Sequence, residues 1–140
     1  MIDVELLNAR LARLGESLSV LRRLASIRRE ALLKDPVKLG AVKYYLLEAI
    51  QACLDMGNHI IASEAWEKPS RYSDVFGILA NHDVIPAEFA NNLTLMAGFR
   101  NRIVHLYMDL DSFTIHDILT NNLDDFDRFA RCIHDHMTQG

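Results

Sequence analysis

From Val4 the apolar residues fall at positions 4, 7, 11, 14, 18, 21 and 25, a regular alternation of three- and four-residue steps. An α-helix of 3.6 residues per turn gathers such positions onto one side, and the resulting stripe must be buried against a neighbour. The same spacing returns in Leu39, Val42, Leu46, Ala49, Ile50, Cys53, Met56, Ile60 and Ile61, and again between residues 115 and 133. No alternating run of four or more residues is bounded by Gly/Asn turns, so strands have no support. The pattern predicts an all-α fold, an up-and-down helical bundle of four long helices plus one short helix.

The boundaries follow from local chemistry. The first helix is expected to run to about residue 31. In "KDPVKLG" Asp35 can cap a second long helix, and Pro36 suits its first position, where a missing N–H costs nothing. "WEKPSRYSDVFGIL" breaks that helix at Pro69 and restarts at Ser73 for a short helix through Phe76 and Leu79. Pro86 opens the next helix, through Phe89, Leu93, Met96 and Ile103, and Asp111 or Ser112 caps the last. With 140 residues, half of them apolar, the chain fits one domain over 1–140.

Charge and cysteine usage narrow the class. The net charge is −4, but residues 1–50 carry nine Lys/Arg against six Asp/Glu, and residues 51–140 carry six against thirteen. An acidic chain argues against a broad non-specific nucleic-acid coat, because Lys/Arg neutralisation of phosphates supplies most of that affinity. A small positive cleft is compatible with it. The arginines of the first helix read as a solvated face, with an RNA- or partner-contacting face as the alternative. Cys53 and Cys132 form no Cys-x-x-Cys pair, which gives no support to a disulfide framework or a thiolate zinc site. The N-terminus has no secretory pattern and no apolar run reaches 18 residues, so the expected protein is cytoplasmic, without a membrane partner.

Motifs for phosphate cradles, dinucleotide binding, zinc proteolysis and helical di-iron sites are missing. His134 and His136, two apart, point about 200° apart on a helix, which suits solvent better than a shared metal. His82 and His116 have no partner that spacing identifies. Beside the apolar face of the second long helix runs a polar stripe of Glu48, Gln51, Asp55, Asn58 and His59. It is either a solvated face or the wall of a groove.

The segment "GFRNRIVHLYMDLDS", residues 98–112, holds Arg100, Asn101, Arg102, His105 and Tyr107 within eight positions. On a helix Asn101 and His105 share a face, while Arg100 and His105 project about 140° apart, so one straight helix cannot easily aim both at one atom. Arg100, Val104 and Tyr107 form a second edge. A curled arginine or a second copy of the chain would complete the set, and the latter makes a dimer part of the chemistry. Arg and His together suffice to cleave RNA with neither metal nor cofactor. Histidine moves protons near neutrality, arginine forks onto the phosphate, and the attacking group is the RNA's own 2′-hydroxyl.

"FRNRIVHLYMDLD" resembles the signature of HepT-like toxins in the HEPN (higher eukaryote and prokaryote nucleotide-binding) superfamily: Arg, Asn, three residues, His, one residue, Tyr. Arg100, Asn101, His105 and Tyr107 match it without departure. "EAIQACLDMGNHIIA" is similar to the family's second long helix at Gln51, Asp55, Asn58 and His59, and "PSRYSDVFGILANHDVIP" to its linker helix. The resemblance implies a homodimer with the two motifs facing across a cleft, acting as an endoribonuclease on an RNA substrate. It implies His105 as acid–base group, Arg100 at the scissile phosphate and Asn101 as orienting neighbour. Gln51, Asp55, Asn58, His59 and Arg102 are the candidate cleft-lining residues. It also implies a partner, an MntA-type minimal nucleotidyltransferase antitoxin that silences the toxin by adding AMP to Tyr107. The competing expectations are a non-catalytic HEPN scaffold subunit for such a nucleotidyltransferase, and a helical dimer whose polar stripe only knits the bundle.

Overall fold

The second long helix is apolar on most of its circumference, which places it at the centre of the fold. A computed structural model describes residues 1–104 and 112–139, Ser112 by its backbone alone. The central helix is α3 (Pro36–Ser63), preceded by α1 (Val4–Ala25) and α2 (Arg29–Leu33). After it come α4 (Asp74–Asn81), α5 (Ala87–Val104), α6 (Ser112–Asn121) and α7 (Leu123–Thr138). The bundle is all-helical, with no strand among the described residues. Helix α1 lies along α3, α4 packs on α3 and α5, and α6 and α7 close against α1 and α3. No described helix is long and apolar enough to cross a membrane.

The stripe on α1 does what its spacing demands: Leu7, Leu14, Leu18 and Leu21 are buried against α3 and its neighbours. The buried apolar side chains form one contiguous cluster. Phe76 of α4 and Phe129 of α7 meet in it edge to face, with ring centroids 5.8 Å apart. Cys53 is buried and Cys132 half-buried; both are free thiols, and burial pushes both up from the ordinary thiol range, which makes them poor nucleophiles.

Seven helices occur among the described residues, where the spacing predicts five, and each difference has a local cause. The first helix stops at Ala25, not near residue 31, because Ser26 turns its hydroxyl onto the Arg23 carbonyl (2.6 Å). Helix α3 stops at Ser63, six residues before Pro69. Ala65 takes a left-handed φ of 56°, and the Trp66 and Ala65 amides donate back to the Ile61 and Ala62 carbonyls (3.0 and 3.2 Å). This is a Schellman ending built on alanine where glycine is usual. The last helix is broken at Asn122, where α7 restarts with Asp124 and Asp125 in its first turn, complementing the helix dipole. Ser73 precedes α4 but makes no side-chain cap; instead Asp74 Oδ2 accepts from the Ser70 and Arg71 amides (3.1 and 2.9 Å). Asp35 caps α3 as expected, accepting from the Val37 and Lys38 amides. The expected cap at Asp111 lies outside the described residues.

The uneven charge is partly an internal matter. Arg10 faces Asp55 of α3 at 4.0 Å, Arg13 binds Glu48 at 2.8 Å, and Arg22 reaches Asp124 and Asp127 of α7. These arginines knit α1 to its neighbours, so the face is not simply solvated, although such half-exposed pairs contribute only about 0–1 kcal/mol each.

Gly57 marks the closest approach of α3 and α4: a Cβ there would lie 2.5 Å from Val75 Cγ1 and 3.2 Å from Leu79 Cδ1. Both neighbours are buried, and Val75 is stiff at χ1. Gly57→Ala is therefore expected to lose stability by about 1 kcal/mol despite the better helix propensity of alanine. Thermal unfolding should record a fall of about 3–5 °C, and an unchanged or higher Tm would contradict the close approach.

Candidate functional site

The polar stripe of α3 and the arginine-bearing end of α5 lie side by side, and one hydrogen bond joins them. Arg100 Nε donates to Gln51 Oε1 at 2.7 Å. Gln51 is aimed by its own helix, since Gln51 Nε2 donates to Asp55 Oδ1 one turn on, at 2.9 Å. That leaves the amide oxygen for the arginine. The Arg100 guanidinium also stacks on the Tyr72 ring, 4.2 Å from its centroid, and its Nη1 donates to Asn101 Oδ1 at 3.3 Å.

The electrostatic consequence is specific. The groups holding Arg100 are an amide, a phenol ring and a second amide, all neutral, and it forms no ion pair among the described residues. Arg10 and Arg13 are instead paired with carboxylates of α3. Among the described residues, then, no carboxylate is paired with Arg100, which is half-buried and held in one orientation. Such a group is suited to receive a phosphate bidentately.

The other expected residues divide. Gln51, Asp55, Arg100 and Asn101 are brought together. Asn58, nearly two turns along α3 from Gln51, lines a groove with Pro69, Ser70, Arg71, Tyr72 and Val75. His59 serves the start of the chain: its Nε2 accepts the Asp3 amide at 2.9 Å. Arg102 is exposed, its guanidinium 5.5 Å from the Phe99 ring centroid. His105 and Tyr107 lie outside the described residues.

The linker 64–73 supplies what spacing did not foretell, Tyr72 as the platform under Arg100 and Arg71 beside it. The cue available in the sequence was a basic–aromatic pair just after a proline. His82, unassigned from spacing, stacks on Trp66 with centroids 3.9 Å apart and lies 3.0 Å from Glu67. His134 is exposed as expected, but His136 is not: it sits half-buried, 3.8 Å from Glu64 and near Trp66, because α7 presses its last turn onto the end of α3.

A family model for HepT-like ribonucleases matches residues 14–133. The chain belongs to the HepT-like family. An mRNA nuclease HepT of Shewanella oneidensis is 32% identical over 88 residues, covering 63% of this chain and 66% of that protein, just under two thirds of its length. A tRNA nuclease HepT of Aphanizomenon flos-aquae aligns over 136 residues at 23% identity, covering 97% of this chain and 92% of that one. A solved structure of a tri-AMPylated Shewanella oneidensis HEPN toxin in complex with an MNT antitoxin superposes with a TM-score of 0.87 at 24% identity, covering 96% of this chain and 99% of the other. The HepT-like fold therefore extends over almost the whole chain, and the Arg100 site falls inside the matched region.

Proposed function

We propose that this HepT-like chain is a metal-independent endoribonuclease toxin of a type VII toxin–antitoxin pair, acting as a homodimer. The observation that carries the reading is the Arg100 cation, without an ion pair among the described residues and held by Gln51 and Tyr72 five residues before His105. Arg100 would bind the scissile phosphate and offset the charge that gathers on its oxygens as the RNA's 2′-hydroxyl attacks. The bond from phosphorus to the 5′-oxygen breaks, leaving a 2′,3′-cyclic phosphate and a 5′-hydroxyl. His105 would take the 2′-hydroxyl proton or deliver one to the leaving oxygen, and the partner copy across the cleft supplies the complementary transfer. Asn101, bonded to Arg100, would orient the pair. Nuclease names among the relatives and the nucleotidyltransferase complex among the structural neighbours support both the activity and the partner.

Silencing by AMP addition to Tyr107 follows physically: a bulky anion seven residues from Arg100 would compete for the cation that the substrate phosphate needs. Expression of the chain alone is expected to slow growth and degrade RNA. Co-expression with the neighbouring nucleotidyltransferase frame should restore growth and add mass to the Tyr107 peptide in multiples of AMP. A wild-type chain harmless without its partner removes the nuclease reading, whereas restored growth with an unmodified Tyr107 peptide removes only the silencing reading.

A further inference from the structure

We infer that the groove between Asn58 of α3 and the 69–72 linker is the subsite for a nucleotide flanking the scissile phosphate, and that Asn58 contacts its base. The inference rests on the ribonuclease reading above and extends it to substrate recognition. Three observations carry it.

The groove is continuous with the Arg100 site, because Tyr72 belongs to both: its ring carries the Arg100 guanidinium and lines the groove with Asn58, Ser70 and Arg71. A strand whose phosphate sits on Arg100 reaches this groove with its next nucleotide. Charge is also segregated across the linker. Glu64 and Glu67 lie against His136 and His82 and line neither groove, Asp74 accepts from the Ser70 and Arg71 amides, and Arg71 and Lys68 are lining residues. The groove therefore offers Arg71 and Lys68 to a phosphate, although the linker carries as many Asp/Glu as Lys/Arg between residues 64 and 73.

The third observation concerns Asn58 itself. It lines both this groove of about 210 Å³ and the adjoining apolar one of about 460 Å³ walled by Ile61, Trp66 and Pro69, and it makes no hydrogen bond among the described residues. Its neighbours Asp55 and His59, one turn before and one residue after, are both occupied. A half-buried carboxamide with a donor and an acceptor left open beside an aromatic ring is equipped to bond a base edge. Tyr72, 44% exposed, offers ring surface for a base to stack on, and Arg71 a contact for the following phosphate.

The test uses the full chain and single-stranded oligonucleotides with 2′-O-methyl riboses, which bind but cannot be cleaved, varied in the base next to the cleavage point. Binding is read by fluorescence anisotropy at several salt concentrations, and Tm is recorded for each variant. Arg71→Ala should weaken binding about tenfold and lower the salt slope by about one. Asn58→Ala should flatten the difference between bases, and Asn58→Asp should weaken all of them. Arg131→Ala, removing an exposed charge on α7, should bind within about twofold of wild type and so controls for net charge. Wild-type binding by folded Arg71 and Asn58 variants overturns the subsite even if the wild type cleaves RNA. Loss of antitoxin binding with RNA binding intact also overturns it, making the groove a protein-docking surface. A wild type that neither binds nor cleaves removes the ribonuclease reading, and the subsite with it.

Discussion

Arg100→Ala should reduce kcat/KM for RNA cleavage by about 10²–10³-fold, the cost of removing one preorganised donor to a developing oxyanion. The argument rests on how Arg100 is held. Gln51 Oε1 fixes its Nε and Tyr72 lies under the guanidinium, whose edge has no carboxylate paired with it among the described residues. Graded variants separate charge from aim. Arg100→Lys keeps the charge but loses the fork and the Nε bond, and should recover only part of the rate. Gln51→Ala keeps the guanidinium but frees its orientation, and should cost about tenfold, less than either change at Arg100. Steady-state cleavage of a fluorogenic RNA measures all three, with Tm as the folding control. An Arg100→Ala protein that cleaves as fast as wild type would remove Arg100 from the chemistry.

Phe129→Ala should destabilise the fold by about 3–5 kcal/mol, the cost of truncating a fully buried aromatic. Phe129 is 0% exposed and meets Phe76 edge to face, on a helix that closes against α1 and α3, so it fills the middle of the core. Loss of the aromatic geometry adds to the cavity cost. Set against a total of about 5–15 kcal/mol for an ordinary domain, this is a large share. Urea titration should show the midpoint falling with the slope unchanged, and Tm should drop by about 10–20 °C. Phe129→Leu, which keeps most of the volume, should cost about 1–1.5 kcal/mol. If Phe129→Ala unfolds at the wild-type midpoint, the packing of Phe129 does not stabilise the bundle.

Helical class, the Asp35–Pro36 start and the buried stripe of α1 were legible because each depends on nearby residues alone. The early end of α3 was not. It turns on Ala65 adopting a left-handed conformation usually left to glycine, and alanine carries no such signal. The stop before Pro69 matters, because it adds Trp66, Glu67 and Lys68 to the linker that carries Arg71 and Tyr72. The stripe on α3 was legible as a stripe, but its division of labour was not. Glu48 pairs with Arg13, Gln51 holds Arg100, Asp55 braces Gln51, Asn58 faces the grooves, and His59 ties down Asp3. Those assignments are made by α1, α5 and the linker, none of which belongs to the helix that carries the stripe. Helical projection gave an awkward angle between Arg100 and His105, which a curled arginine or a second copy of the chain would resolve; His105 lies outside the described residues.

Trp66 is the only tryptophan in the chain. It follows the end of α3, stacks on His82 after α4 and lies 6.1 Å from His136 in the last turn of α7. Its opposite neighbourhood is the wide apolar groove next to Asn58. The molecule thus carries a built-in optical probe at the point where three helices converge, beside the place where a nucleotide would sit. Its emission can follow the docking of α7 and the filling of the groove in the same unlabelled sample.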